Sequence, residues 1–286
     1  MGTTPITQVL LAQLEAIAST YPAPAIADLH VPSDLGPASS GARDAAFCAI
    51  ELQDGAFGLS YLMLGDTLRS LASNGNTRGS LAGQSPLALA QRFGSSDPLE
   101  RALALACINA LTDSVWRRIG YEPPPAVNSL GDVVLSATDH LGMIGFFPPL
   151  VRQVQAQGAR LTVVELDAAM VRRQQARFPD VTITLERTQL ADCTVMVGTS
   201  TMLLNDTLEA MLAAAPRAQD FAVIGPSAGL WPDALFARGV TLMGGTRVVD
   251  GAGFRAAMAG DAAWGPSTRK FAIKAGEWPG WQRLLA

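Results

Sequence analysis

Apolar residues recur at helical spacing near the start of the chain. Val9, Leu10, Leu14 and Ile17 fall on one side of a helix predicted over residues 5–21, which "YPAP" ends. A short strand is predicted at residues 25–30, and "VPSDLGPASSGARD" after it, rich in Pro, Gly and Ser, reads as a surface loop. Two apolar runs, "AAFCAIEL" and "AFGLSYLML", flank "QDG". Asp-Gly supplies the positive φ that a tight reversal needs, so a β-hairpin is expected there. The period then turns helical. In "SSDPLERALALACINALTDSVWRRIG", Asp97 suits the cap, Pro98 the first turn and Glu100 the closing position of a capping box, while Leu99, Leu103, Ala106 and Ala110 line one face. Consecutive prolines in "GYEPPPAVNSLGD", residues 120–132, cannot continue a helix and mark a linker.

Beyond the linker the two periods alternate. "LGMIG" is a strand, residues 149–157 a helix stopped by Gly158, and "RLTVVEL" a β-branched strand ending at Glu165. "CTVMVGT", "FAVIGPS" and "VTLMGG" are further strands. Between them lie helices in "NDTLEAMLAAA", capped by Asn205 or Asp206, and in "PDALFARG", ended by Gly239. Continuous apolar strands separated by helices indicate a parallel sheet covered on both faces. The fold class is therefore α/β: a small α+β unit in residues 1–124, then a Rossmann-like three-layer domain in residues 125–286.

Composition narrows the function classes. A chain of 286 residues with 49% hydrophobic and 16% charged residues can bury a sizeable core and shows no sign of disorder. Its net charge of −4 and the absence of a Lys/Arg stripe remove the electrostatic footprint of a nucleic-acid binder. No basic segment precedes the first apolar run and no uninterrupted apolar stretch approaches about 18 residues, so neither a signal peptide nor a membrane span is expected. Cys48, Cys107 and Cys193 form no CxxC pair, which fits a reducing compartment. A cytoplasmic location follows as the expectation.

In a doubly wound sheet, ligands sit outside the carboxyl ends of the strands, so the residues just after each strand carry the chemistry. Gly142 and Gly145 give only GxxG, and the Phe146, Phe147, Pro148, Pro149 run that follows replaces phosphate-cradling glycines and withholds backbone donors. Glu165 stands 23 residues after Gly142, where a carboxylate would accept from a ribose in a nucleotide or S-adenosylmethionine enzyme; the plainer alternative is a polar residue at a strand end. "GTSTMLLND" gathers Thr199, Ser200, Thr201 and Asn205 before a helix, a group that could receive an anion or merely cap that helix. Gly225 to Ser227 and Gly244-Gly245 permit close backbone approach, or serve as ordinary turns. Asp139 and His140 are candidates for acid-base work, with a structural histidine as the alternative. Metal signals are poor: His30 and His140 stand 110 residues apart, and there is no HxxxH or CxxC. The tryptophan-rich end "GEWPGWQRLLA" could pack on a neighbouring subunit or be buried in its own domain.

Taken together, "DPLERALALACINAL", "GMIGFFPPLV", "VVELD", "GTSTMLLNDTLEAML" and "GPSAGLWPDALFARGVTLMGG" resemble a prokaryotic two-domain family of unknown function, the DUF4213/DUF364 type. In that family a domain like the enolase N-terminal region precedes a Rossmann-like domain associated with heavy-metal chelation. The resemblance implies a cleft between the domains, to which Asn109, Gly145, Phe146, Glu165, Thr199, Asn205, Thr207, Gly225, Pro226 and Ser227 would contribute. Asp206 stands where the family tends to carry Gly, and Ala228-Gly229 follow "GPS" where a small residue and Pro are expected. Two functions follow as expectations. One is an enzyme or enzyme-like protein that binds a polar, anionic small molecule, with S-adenosylmethionine, a nucleotide or a divalent metal as candidate cofactor, and makes or processes a metal chelator. The other is a non-catalytic protein binding a metal or metal chelate through Asp139, His140, Glu165 and Asp206. The expected partner is a small molecule, with no nucleic acid and no membrane; self-association remains open.

Overall fold

The computed structural model describes residues 4–31, 47–62, 67, 70–71, 80–126, 133, 135–260 and 262–286. The loop expected at 31–44, past Val31, and the linker's residues 127–132 lie outside the described residues. Helix α1 (Ile6–Thr20) buries Leu10, Leu14 and Ile17 of the predicted side, together with Ile6, while Val9 is only partly buried. Strands β1 (Ile26–His30), β2 (Phe47–Leu52) and β3 (Phe57–Tyr61) form an antiparallel sheet in that order. In the β2–β3 hairpin Phe47 lies opposite Tyr61 and Ile50 opposite Gly58.

Helix α2 (Pro86–Ala90) leads into α3 (Pro98–Arg118). Asp97 caps α3 by accepting from the Leu99 and Glu100 N–H groups at 2.7 and 3.3 Å. The capping box does not close as expected. Glu100 accepts instead from the Ser95 hydroxyl at 2.7 Å and from Arg92 at 3.1 Å, while the Asp97 N–H donates to Ser95. Nor is α3 buried on one face alone, because every residue from Ala102 to Trp116 is buried. The small sheet covers one side of the helix and the second domain another, so polar residues in its sequence become interior groups with fixed partners. Thr112 donates to the Ile108 carbonyl at 2.9 Å, and Asn109 and Asp113 tie the two domains together as described below.

The second domain follows the order β4 (His140–Ile144), α4 (Pro148–Ala156), β5 (Arg160–Val164), α5 (Ala168–Arg177), β6 (Thr182–Thr184), β7 (Val195–Thr199), α6 (Leu208–Ala214), β8 (Asp220–Ile224), α7 (Asp233–Phe236), β9 (Leu242–Val248), α8 (Gly251–Ala259) and β10 (Thr268–Lys274). The sheet order is β10-β9-β8-β7-β4-β5-β6, parallel throughout except for β10 on β9. Strand order reverses between β4 and β7, the topological switch of a doubly wound sheet. The sequence reading omitted α5, β6, α8 and β10. Helix α5 buries only Gln174 and β6 is three residues long, so neither leaves an apolar period to read.

Aromatic rings seal the junction of the domains. Trp116 of α3 meets Tyr121, Phe271 and Trp231 with ring centroids 5.3, 5.7 and 5.8 Å away, edge to face. The carboxyl-terminal segment continues this stack within its own chain. Trp278 packs on Tyr121 and Trp231, and Asp233 accepts from the Trp278 ring N–H and the Trp281 N–H, both at 3.0 Å.

Candidate functional site

The carboxyl edge of the large sheet brings together most residues singled out from the sequence, but in separate groups. The first surrounds the β4–α4 loop. Gly145 has φ of 82°, and a Cβ there would stand 3.0 Å from the Thr199 methyl, so the loop leaves β4 directly over β7. Phe146 packs on Phe178 at 5.4 Å. Glu165 is half-buried and accepts from the backbone N–H of Leu166 at 3.3 Å, with the Phe146 N–H also facing its carboxylate. Burial pushes the Glu165 pKa up, with the nearby Asp167 charge adding to the rise and the two N–H donors opposing it. A folded-state pKa above the unfolded one means that this group's stabilisation is present at low pH and lost as pH rises through the folded value. Glu165→Gln is accordingly expected to raise resistance to urea at neutral pH, with the gain shrinking toward pH 4. Unfolding midpoints at the two pH values check this, and a gain that grew on acidification would contradict it.

The second group is the β7–α6 loop, which satisfies itself. Thr199 Oγ1 accepts from the Thr201 N–H at 3.3 Å. The Asn205 side chain lies 2.7 Å from the Thr207 hydroxyl, and its NH₂, turned as the surrounding acceptors require, reaches the Thr201 and Met202 carbonyls at 3.2 and 3.3 Å. Neither Asn205 nor Asp206 caps α6 as expected; Thr207 holds the cap position and makes no side-chain cap bond. Asp206 adopts φ of 58°, the left-handed conformation that a Gly would take without strain, and pairs across the junction with Arg101 of α3 at 3.2 Å.

The third group follows β8. Ser227 is fully buried, and its hydroxyl accepts from the Tyr61 N–H at 3.0 Å. Asn109, 2% exposed, donates to the Leu59 and Ser227 carbonyls at 2.8 and 2.9 Å. These two expected ligand contacts are thus fasteners between β3, α3 and the β8 loop. Gly225 and Pro226 instead line a cavity of about 740 Å³. Its other walls include Phe147, Pro149, Gly244-Gly245, Trp264, Lys270 and Phe271. Every described lining residue belongs to the sheet domain or to the linker's end at Ala126, so this space is not the cleft between domains that the resemblance implied. Among the described residues, the Trp116 stack and the Asn109–Ser227 bonds occupy the junction itself. Sequence reasoning missed Trp264, Lys270 and Phe271 as wall residues because the β9–β10 pairing that places two of them was not foreseen; Gly244-Gly245 was the visible signal.

Asp139 and His140 lie at the opposite edge. His140 pairs in register with Arg160 at the start of β5, so Glu165 is five residues further along, roughly 16 Å at strand rise. A single metal site of His140, Glu165 and Asp206 is therefore not assembled. Among the described residues, no three His, Cys, Asp or Glu side chains are grouped so as to hold a metal ion. The three cysteines are buried and free, and burial raises the Cys48 and Cys193 thiols to about 12 and about 11.

No helix among the described residues is long and apolar enough to cross a membrane. No curated protein matches the chain. Two solved structures share its fold, each of a DUF364-family protein of unknown function. The one from Pyrococcus horikoshii is 18% identical, with a TM-score of 0.66, covering 94% of this chain and 99% of its own. The one from Desulfitobacterium hafniense DCB-2 is also 18% identical, with a TM-score of 0.65, covering 93% and 98%. The DUF4213 family model matches residues 45–112 and the DUF364 model residues 130–275, both described as "Putative heavy-metal chelation". Because the second match alone spans more than half of the sequence, the chain belongs to the DUF364 family.

Proposed function

We propose that this protein binds a small organic chelator, free or carrying its metal, in the carboxyl-edge cavity. The composition of the cavity wall carries this reading. Phe147, Pro149, Ile224, Trp264 and Phe271 supply apolar and aromatic surface, Thr246 and Thr268 supply hydroxyls, and Lys270 is the one charged group among the described lining residues. Such a wall suits a ring-bearing ligand with an anionic part. It suits a bare cation poorly, since no described lining side chain is His, Cys, Asp or Glu and an ammonium repels positive charge. A nucleotide fits less well than a chelator. Pro148 and Pro149 remove the two N–H groups at the start of α4 that would receive a phosphate, and Glu165 already accepts from the Leu166 N–H.

Thermal unfolding of the full chain tests the proposal with four probes: 2,3-dihydroxybenzoate, its ferric complex, Zn²⁺ alone and S-adenosylmethionine. A ligand of the folded state at a hundredfold its Kd adds about 2.7 kcal/mol of apparent stability. The catechol acid or its complex is expected to raise the midpoint, and Lys270→Glu to weaken its binding about tenfold through reversal of one exposed charge. Stabilisation by Zn²⁺ alone, with none from either organic probe, would overturn it.

A further inference from the structure

Cavities lie at both edges of the large sheet. The one at the amino edge, about 790 Å³, is bordered by Asp139, His140, Arg160 and other mostly polar side chains, and its described lining holds no Phe, Tyr or Trp. The carboxyl-edge cavity is built differently, with its polar side chains gathered where β9 and β10 pair. Thr246 of β9 lies directly opposite Lys270 of β10 in the antiparallel register, and both line the cavity. Side chains of facing residues project from the same face of a sheet, with Cβ atoms roughly 4.5–5.5 Å apart. A hydroxyl and an ammonium therefore stand side by side on this wall.

Thr246 is the unusual member of the pair. It is 8% exposed, yet among the described residues its hydroxyl has no hydrogen-bond partner. Nor is that hydroxyl sealed in, as the unpaired indole nitrogens of Trp116 and Trp231 are; it opens on the cavity. A polar group so nearly buried ordinarily finds a partner within the protein, so an open one marks a place where a ligand atom is favoured. Thr268, two residues before Lys270 and on the same face, is already committed, because its hydroxyl donates to the Gly265 carbonyl at 2.9 Å. The Thr246 proton is free to be given to a ligand. Lys270 has no ion pair among the described residues, and its charge beside the hydroxyl selects an anion as the acceptor. Elsewhere in the lining, Trp264 is a fixed apolar surface. Edge-to-face contacts with Phe47 of β2 and Phe254 of α8, both at 5.9 Å, hold its indole.

We infer that the carboxyl-edge cavity selects an aromatic carboxylate and holds it by the carboxylate: one oxygen accepts from the Thr246 hydroxyl, the other from the Lys270 ammonium, and the ring lies against Trp264 and Phe147. This rests on the reading of the cavity as a site for an organic ligand and deepens it, because a carboxylate engaged by the protein at both oxygens is not a metal ligand. Any metal that the ligand carries is bound by its other oxygens.

Calorimetric titration of the full chain with 2,3-dihydroxybenzoate, 2,3-dihydroxybenzamide and benzoate tests this. The amide keeps the catechol and loses the charge, whereas benzoate keeps the charge and loses the catechol. The dihydroxy acid is expected to bind about tenfold more tightly than the amide, as a charge-assisted hydrogen bond requires. Thr246→Val should weaken binding of the acid about tenfold and leave that of the amide unchanged. It should also leave the urea midpoint of the free protein at or above the parent's, since no internal hydrogen bond is lost, and Thr246→Ser should restore binding of the acid. Equal binding of acid and amide, or undiminished binding of the acid by Thr246→Val, would overturn the inference and leave a chelator site standing. Benzoate binding as tightly as the dihydroxy acid, and weakened alike by Thr246→Val, would support the inference and overturn the chelator reading. Failure of both acids to bind, or a urea midpoint lowered by Thr246→Val, would overturn the inference.

Discussion

Asp113→Ala is expected to destabilise the chain by about 3–5 kcal/mol, the range for removing one partner of a buried ion pair. Asp113 is 4% exposed on α3 and accepts three ways. Its Oδ2 takes the Phe57 N–H at 3.1 Å and Arg117 Nε at 2.7 Å, and its Oδ1 takes Arg247 Nε at 2.5 Å. Truncation leaves Arg247, itself buried, with only the exposed Glu122 as counter-charge among the described residues, at 2.9 Å, and leaves the Phe57 N–H without its acceptor. The loss arises from stranded charge, so shape alone should not repair it. Removing both charges should recover much of it: Asp113→Leu with Arg247→Met is expected to be more stable than Asp113→Ala. Urea unfolding of the three proteins decides the matter. A single variant within 1 kcal/mol of the parent would show that this network does not hold the domains together, since about 1 kcal/mol is all that an exposed pair supplies.

The same network shows what could be read in the sequence and what could not. Periodicity located α1, α3, the β2–β3 hairpin and the strands β4, β5, β7, β8 and β9, because each presents an apolar run or stripe with a turn signal beside it. The edge elements left no such signal, and β10 was lost with them although it supplies Lys270 and Phe271. At the site, the strand-end rule placed Gly145, Glu165, Thr199 and Gly225 on the carboxyl edge, and five ordered motifs pointed to the family. Linear spacing could not say which polar residue would face a space and which would face a partner. Ser227 follows a strand end and Asn109 is implied by the family resemblance, yet each bonds a segment far away in sequence, Tyr61 for Ser227 and Leu59 with Ser227 for Asn109. His140 was separated from Glu165 by strand direction alone. A parallel strand sends its first and last residues to opposite edges, and only knowing which edge each occupies shows that His140 lines a different cavity.

Gly58→Ala is expected to be the other severe substitution, and it follows from backbone contact. Gly58 is the second residue of β3, where α3 crosses it, and a Cβ there would fall 2.0 Å from the Ala106 carbonyl oxygen, 2.2 Å from the Ala110 nitrogen and 2.8 Å from the Asn109 carbonyl carbon. All three are main-chain atoms of a helix buried on every side, so no rotamer change relieves the overlap and α3 must move as a body. Overpacking a core generally costs about 1–3 kcal/mol, and a clash with main chain belongs at or above the top of that range. The displacement should also reach the carboxyl edge, because Asn109 on this stretch holds the Ser227 carbonyl two residues beyond Gly225 in the cavity wall. Gly58→Ala is therefore expected both to lower the urea midpoint and to reduce whatever stabilisation the organic probes give, with the two effects in one protein. Gly276→Ala, where an added Cβ meets nothing within 4 Å, is the matched control and should change neither. If Gly58→Ala unfolded at the parent's urea concentration, β3 and α3 could not be as close as described. Stability lost with ligand response intact would instead mean that the small sheet supports the fold without setting the shape of the cavity.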